Sequence, residues 1–476
     1  MNKRNPGLAF IFLIVGLIIG CIISIHKPET VIREPETPKE SKIEYQIPKA
    51  PKINLDMIKT TPFFKTFTPR VVKVCDGVYL ATGFALANVS MVITDEGLVI
   101  IDTTESKDSA REILNRFRKI TRKPIKYIIY THGHGDHTQG AEVFYQPGVK
   151  VIASKQFLDF VSFETRLIGN WTRWARRVQS ARAEPDYARI KVPVRQVVRA
   201  DVGTPDIIMP NITFDGEYQF ELGGEVFQLF YAPGETPDTI IVWLPKKRVL
   251  FCADDYYASF PNLSAPMLAP RPVQGWIKSL EKMISLEPEY LVPGHTGAVS
   301  GKDKVREVLT NYRDAIKSIY EQTLNCINQG LSVKEAVRRV KLPAHLAQLP
   351  YLQEYYGTVE WSVRGIYQGA IGWYDGYGTK LNPLPPSYRA RELVKLAGGA
   401  DKILQRAIEL QKNKEYQLSS ELCDIVIQAN PNDKLAHLIK AVNMEYLAVS
   451  AGNLNKFGFY FSASQLELKQ AGYKEK

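Results

Sequence analysis

The sequence predicts a layered α/β domain followed by an all-helical one, both carried behind an apolar N-terminal segment. Three observations predict this. An uncharged apolar run extends from Gly7 to Ile25, short β-prone segments with one helix between them begin at Val71, and the periodicity turns helical after Ser300. With 45% hydrophobic and 23% charged residues, the composition is that of a folded protein and excludes a disordered or fibrous chain. A length of 476 residues allows two or three units, each able to bury a core. The 61 Lys and Arg against 50 Asp and Glu leave a net charge of +11 with no basic block. A nucleic-acid binder would concentrate that excess in a stripe, so it reads as mild attraction to anions and no nucleic-acid partner is expected. Cys21, Cys75, Cys252, Cys326 and Cys423 lie far apart, with neither CxxC spacing nor the density of a disulfide scaffold.

Residues 1–25 read as a hydrophobic anchor or signal segment. Lys3 and Arg4 precede the run, which at about 1.5 Å per residue nearly crosses a bilayer core. A retained signal anchor would keep the two cations on the cytoplasmic side; a cleaved signal peptide is the second reading. In the third, Leu17-Ile18-Ile19-Gly20-Cys21 resembles a lipobox with Cys21 lipidated. All three place the bulk of the protein outside the cytoplasm, two of them held at a membrane. Residues 26–70 carry Pro28, Pro35, Pro38, Pro48, Pro51, Pro62 and Pro69, which remove donors and block helix, so an extended linker is expected.

Residues 71–300 form the α/β unit. Val71–Val74, Val78–Leu80, Ser90–Thr94 and Leu98–Asp102 are strands between Asp-Gly and Glu-Gly turns. Ser109–Ile120 is a helix with Ile113, Leu114, Phe117 and Ile120 on one face, and Ile125–Tyr130 is a continuous apolar strand. Residues 301–476 are helical. A stripe from Val305 to Ile327 ends at Gly330, and Ser332 with Glu335 has the capping-box spacing. Asp401–Gln411, Glu415–Gln428 and Asp433–Ala448 follow as helices broken at Asn430-Pro431.

The chemistry concentrates directly after the strand Ile125–Tyr130. Thr131-His132-Gly133-His134-Gly135-Asp136-His137 holds three of the chain's seven histidines. Imidazole nitrogens with a carboxylate make a metal-ligand set, and the glycines let the backbone fold tightly enough for them to converge. This segment resembles the metal-binding signature of the metallo-β-lactamase superfamily. Three downstream segments resemble its remaining motifs: Pro233-Gly234-Glu235-Thr236-Pro237-Asp238, Phe251-Cys252-Ala253-Asp254 and Val292-Pro293-Gly294-His295. Glu235 stands where most of the superfamily has histidine, and Asp254 follows 19 positions later. Both features are similar to the alkyl sulfatase branch. So are Tyr356-Gly357-Thr358-Val359-Glu360-Trp361-Ser362-Val363-Arg364, Ile366-Tyr367-Gln368-Gly369 and Gly372-Trp373-Tyr374-Asp375-Gly376, which look like the region leading into that branch's dimerisation domain.

The resemblance implies an αββα sandwich, then a helical dimerisation domain that makes a homodimer. It implies two metal ions, zinc with manganese or iron as alternatives. His132, His134 and Glu235 would hold one, Asp136, His137 and His295 the other, with Asp254 between them. The implied reaction is metal-assisted hydrolysis of a sulfate monoester on an alkyl chain, the water attacking carbon, and the substrate is a small anionic amphiphile. Asp136 would orient the water. Asn262, eight residues past Asp254, matches a family asparagine, but the family's sulfate-binding arginine position falls on Met267. Arg271, four residues on, is the candidate replacement, and Arg364 and Tyr367 are candidates to reach the substrate from the helical half. The change at Met267 keeps another ester open (a lactone, thioester, β-lactam or phosphate), and a membrane-tethered scaffold with a vestigial site is the alternative outside enzymology.

Trp171, Arg173, Trp174, Arg176 and Arg177 form an aromatic-basic patch that would line an entrance or face solvent. His26 and His437 read as surface residues and Cys252 as a small buried hydrophobe. Asn88, Asn170, Asn211 and Asn262 head glycosylation sequons.

Overall fold

The computed structural model describes residues 43–52, 68–167, 187–189, 207–268 and 271–473. The apolar run Gly7–Ile25, Cys21, and the patch from Trp171 to Arg177 lie outside them. Among the described residues, no helix is long and apolar enough to cross a membrane.

Seven strands form one sheet in sequence order: β1 (Arg70–Cys75), β2 (Val78–Thr82), β3 (Val89–Ile93), β4 (Leu98–Ile101), β5 (Ile125–Ile129), β6 (Lys150–Ser154) and β7 (Ile212–Phe214). β1 to β4 pair antiparallel and β4 to β7 parallel. A second sheet runs in the order β13 (Val299–Ser300), β12 (Tyr290–Val292), β11 (Val249–Phe251), β10 (Ile240–Leu244), β9 (Glu225–Tyr231), β8 (Glu217–Leu222). The first helices are α1 (Lys107–Arg118), α2 (Gly135–Thr138), α3 (Ala141–Phe144), α4 (Gln156–Leu167) and α5 (Val273–Ser285).

Strand β4 shows how the layers arise. All four of its residues are apolar and buried. Val99 and Ile101 point to the core between the sheets, with Ile129, Phe227, Leu229 and Val242, while Leu98 and Ile100 face Ile113 and Phe117 of α1. A strand covered on both faces reads as an unbroken apolar run, as it did in the sequence. The outer face of the second sheet packs Ile241, Trp243 and Leu250 against Trp276 and Leu280 of α5. Helix, sheet, sheet and helix therefore form four layers. α1 begins two residues before the expected Ser109, because the Ser106 hydroxyl accepts the Ser109 N–H and caps it there.

The helical half comprises α6 (Lys302–Asn328), α7 (Val333–Arg339), α8 (Ala344–Ala347), α9 (Val359–Ile371), α10 (Pro386–Leu396), α11 (Ala400–Lys412), α12 (Tyr416–Ala429), α13 (Lys434–Ser450) and α14 (Leu454–Gln470). The Ser332–Glu335 capping box forms as its spacing predicts. α6 is no separate layer: Val305, Leu309, Tyr312 and Ile316 share one core with the second sheet and α5. Helix α14 was not expected from periodicity. Its buried face mixes Gly458, Ser462 and Gln465 with Phe461 and Leu468, so no apolar stripe marks it.

Part of the expected linker is docked. Ile43 and Tyr45 pack on the α11 to α13 cluster, the Tyr45 hydroxyl donates to Gln411 Oε1 (2.8 Å), and the Tyr446 hydroxyl donates to the Lys49 carbonyl (3.2 Å).

His437, expected at the surface, is only 5% exposed: it pairs with Glu467, which also takes Lys440 Nζ at 2.6 Å. Burial opposes the charge on His437, but Glu467 outweighs it and the pKa rises; Glu467 is held low despite its own burial. The raised histidine stabilises fully below its unfolded value near 6.5 and loses that contribution as pH rises through its folded value. The lowered glutamate stabilises above its unfolded value and loses that as pH falls. This pair is therefore expected to contribute most in mildly acidic buffer, and His437→Gln to flatten the alkaline side of a melting-temperature profile.

Candidate metal centre

Every chemically distinctive side chain stands at a strand end. β5 runs out at Ile129, and His132 and His134 follow in the turn before α2, which carries Asp136 and His137. Asp102, just past β4 in a left-handed backbone (φ 58°), holds this turn. Its carboxylate accepts the Thr131 N–H and hydroxyl and the His137 Nδ1–H, each at 2.8 Å. Asp238 Oδ2 accepts the Gly133 N–H at 2.7 Å. A Cβ at Gly133 would lie 2.8 Å from Phe160 and Val161, which is why the turn needs glycine there.

The later motifs arrive from the second sheet. Glu235 follows β9, Asp254 follows β11 and His295 follows β12. Ala253 (φ 51°) and Thr296 (φ 67°), beside two of them, are also left-handed, strain of about 1–3 kcal/mol each that the surrounding packing must hold. His295 Nδ1–H donates to the Leu86 carbonyl (2.8 Å), and buried Asn88 donates to Pro293 and Thr296 carbonyls at 3.0 and 2.8 Å, pinning the His295 loop. Because the Nδ1 atoms of His137 and His295 are both engaged, their Nε2 atoms face inward.

The structure brings all seven candidate ligands together in two groups, His132, His134, Glu235 and Asp254, and Asp136, His137 and His295, with the ligand atoms of each within 4.8 Å of one another. Asp254 Oδ2 is central: His295 Nε2 lies at 3.0 Å, His137 Nε2 at 3.4 Å and His132 Nε2 at 3.6 Å. His137 Nε2 and Asp254 Oδ1 are buried without a hydrogen-bond partner in the chain. Such atoms are costly unless a ligand satisfies them. Four imidazoles, three carboxylates and two inward orphan atoms fit a pair of divalent cations of borderline to hard character.

The electrostatics of the metal-free chain agree. Burial opposes the charge on Asp254, but His295, His137 and His132 hold its carboxyl well below the usual range. His137 is raised well above an ordinary imidazole: burial works against its charge, and Asp254, Asp102 and Asp136 overcome it. His132 goes the other way, lowered by burial and then by His137. Glu235 is pushed up to about 8, by burial first, with Arg271 pulling down and Asp254 adding to the rise.

Among the candidate substrate residues, Arg271 reaches the centre, Asn262 is tied to it through Tyr257, whose ring meets His295 edge-on, and two others do not reach it. Asn262 is fully buried and neither side-chain atom has a partner in the chain. Arg271, 7% exposed, sits 3.3 Å from Glu235 Oε1 and also donates to the Glu235 carbonyl. Arg364 is corrected: it stands on the solvent side of α9, about half exposed, in an i,i+4 pair with Glu360. Tyr367 is corrected too, because it is buried in the core with Ile366 and donates to the Leu331 carbonyl at 2.9 Å. Cys252 is buried as expected. Asn88 and Asn262 are interior and Asn211 bridges Val151 N–H and the Val149 carbonyl, so these sequons are structural.

The sequence motifs leave out Asp102 and Asp255, and they include Asp238 without giving it a role. Asp255 Oδ1 accepts the Glu235 N–H at 2.9 Å, and a Cβ on Gly234 would lie 1.8 Å from that atom. A carboxylate ending an apolar strand was the available signal for Asp102, and a doubled aspartate for Asp255.

Two family models match: the metallo-beta-lactamase superfamily over residues 82–295 and alkyl sulfatase dimerisation over residues 332–470. A linear primary-alkylsulfatase of Pseudomonas sp. is 38% identical over 392 residues, covering 80% of this chain and 74% of that protein. An (R)-specific secondary-alkylsulfatase of Pseudomonas sp. is 32% identical, covering 79% of this chain and 59% of the relative. An alkyl/aryl-sulfatase of Saccharomyces cerevisiae is 29% identical over 80% and 61%, so the chain spans about 60% of the length of these last two. The structure of the stereoselective inverting sec-alkylsulfatase Pisa1 from Pseudomonas sp. superposes with a TM-score of 0.77 at 28% identity, covering 84% of this chain and 66% of that one. The chain thus belongs to the metallo-β-lactamase superfamily and, within it, to the alkylsulfatase family.

Proposed function

We propose that this protein hydrolyses sulfate monoesters of alkyl chains at a two-metal centre, with zinc as the metal. His132, His134 and Glu235 would hold one ion, Asp136, His137 and His295 the second, and Asp254 both. When bound, such a pair supplies Lewis acidity and an activated water. The observation that supports the substrate reading is the buried Asn262 amide, neither of whose side-chain atoms has a partner in the chain, together with the Arg271 guanidinium held beside Glu235. A primary amide and a guanidinium offer directional N–H donors to sulfate oxygens in a dry setting. Asp136, one-fifth exposed beside His295 Nε2 (3.5 Å), would orient a water and accept its proton at Oδ2. The test uses the full chain: metal content, then inorganic sulfate released from decyl sulfate, with His132→Ala as control. Two metals and sulfate release lost in the control support the reading. Two metals without sulfate release overturn it in favour of another ester, and no metal leaves a scaffold.

The helical half is proposed to make a homodimer. Trp373 (68% exposed), Tyr377, Leu381 and Leu384 (69% exposed) form an apolar segment after α9, within the part matched by the dimerisation model. Leu384→Asp with Trp373→Ser is expected to shift the chain from dimer to monomer in light scattering. The Gly7–Ile25 run is proposed to place the protein outside the cytoplasm and hold it at a membrane, which carbonate extraction of the expressed full chain would test.

A further inference from the structure

We propose that Asn453 and Asn455, at the entry to the last helix, are positioning residues for the sulfate-receiving wall of the active site. This rests on the reading of Asn262 given above and adds a second layer behind it.

The wall is built from two irregular segments, 257–262 and 353–357, neither of which has a helix or sheet to satisfy its backbone. They hold each other. Phe260 N–H and the Ser259 hydroxyl donate to the Gln353 carbonyl at 2.8 and 3.0 Å, Tyr356 N–H donates to Ser259 Oγ at 3.0 Å, and Gly357 N–H donates to the Phe260 carbonyl at 3.2 Å. Contact is close enough that a Cβ on Gly357 would lie 2.1 Å from the Pro261 carbonyl oxygen and 2.7 Å from Asn262 N. Asn262 N–H donates in turn to the Tyr257 hydroxyl (2.6 Å), and the Tyr257 ring meets Tyr356 edge-on at 5.7 Å and His295 at 6.4 Å. Segment 353–357 therefore cannot shift without carrying Asn262 and Tyr356.

The far side of that segment is gripped by the turn between α13 and α14. Asn453 Nδ2 lies 2.6, 3.1 and 3.4 Å from the carbonyls of Glu354, Tyr356 and Gly357, its two protons shared among three acceptors. Asn455 Nδ2 adds a second donor to the Tyr356 carbonyl at 3.0 Å, and Leu454 N–H donates to the Tyr355 carbonyl at 2.8 Å. Both asparagines are buried, at 5% and 1% exposure. Through Tyr257, whose ring meets both Tyr356 and His295 edge-on, the gripped segment is packed against the metal centre.

Asn453 has a second task that the test must separate. Its Oδ1 accepts the Lys456 N–H at 2.9 Å and caps α14. Serine also caps a helix well but cannot reach the three carbonyls. Asn455→Ala removes a donor and leaves the cap intact. The experiment measures kcat and KM for decyl sulfate, metal per chain, and hydrogen exchange at the Phe260 and Gly357 amides for the full-length wild type, Asn453→Ser and Asn455→Ala. Each variant is expected to raise KM about tenfold, roughly 1.4 kcal/mol, with kcat within about twofold. Metal content should not change, and the two amides should exchange faster while β10 and β11 do not. Unchanged KM with unchanged exchange in both variants overturns the proposal, and so does a KM rise that appears only with loss of metal. If the wild type releases no sulfate, the hydrolase reading fails by itself. Exchange at Phe260 and Gly357 then decides the positioning role alone, unchanged rates overturning it.

Discussion

Asp254→Ala is expected to strip the full chain of at least one of its two metals and to lower kcat/KM by roughly 10³-fold or more. That figure is several kcal/mol of lost charge stabilisation expressed as a rate. The reason is geometric. One oxygen, Asp254 Oδ2, lies within 3.0 to 3.6 Å of imidazole nitrogens from both ligand groups, so this one atom can serve both. Losing it also leaves His132, His137 and His295 facing one another without the anion between them. The attraction that keeps His137 and His295 protonated in the metal-free chain, His295 at about 9, comes mainly from that carboxylate against the opposing effect of burial. Metal analysis of the purified variant with a sulfate-release assay checks this. Two metals per chain and wild-type turnover in Asp254→Ala would remove Asp254 from the bridging role. The loss should exceed that of Asp102→Asn, which disturbs only the orientation of His137 and Thr131 and belongs with changes worth about 10- to 100-fold.

Much of this centre was legible because its ligands are local in sequence or repeat a strand-end context. The His132 to His137 turn directly follows an apolar strand, and Glu235, Asp254 and His295 each follow another. What the sequence could not display are partners chosen by the tertiary fold. Asp102 lies 30 residues before His132 and looks like any polar residue after a strand; only the parallel pairing of β4 with β5 sets it under the turn. Arg364 and Tyr367 sit in a family-like segment, yet, three residues apart, they lie only about 60° apart around α9 and straddle the edge of its buried face (Ser362, Val363, Ile366, Tyr367), a boundary that spacing alone does not locate. Helix α14 was hidden because its buried face is small and polar, which suits close approach to α13 but carries no periodic apolar signal. Arg271 is the opposite case, since its reach depends on the path of the loop between Asn262 and α5, where Met267 adopts a left-handed φ of 65°.

That path makes Arg271→Ala the second informative variant. The guanidinium and the Glu235 carboxylate are almost fully withdrawn from solvent, at 7% and 3% side-chain exposure and 3.3 Å apart. Removing one member of such a pair typically costs about 3–5 kcal/mol, because the other charge stays buried alone. In the metal-free chain Glu235 can shed part of that cost by taking a proton, as its pKa of about 8 already shows. With metal bound it is held as an anion and needs the cation less. The expected result is therefore a melting temperature that falls sharply in the metal-free protein and much less in the loaded one. KM for an alkyl sulfate should rise about 100-fold, near 2.7 kcal/mol, if the guanidinium also receives the sulfate group. Arg271→Lys keeps the charge but not the forked donors, and should recover stability better than KM. The double variant Met267→Arg with Arg271→Ala moves the cation to position 267, where the family resemblance implies an arginine. Recovery of KM there would show that the two positions serve one sulfate. A KM that Arg271→Ala leaves unchanged would confine Arg271 to holding Glu235 and leave Asn262 as the anion's contact in this chain.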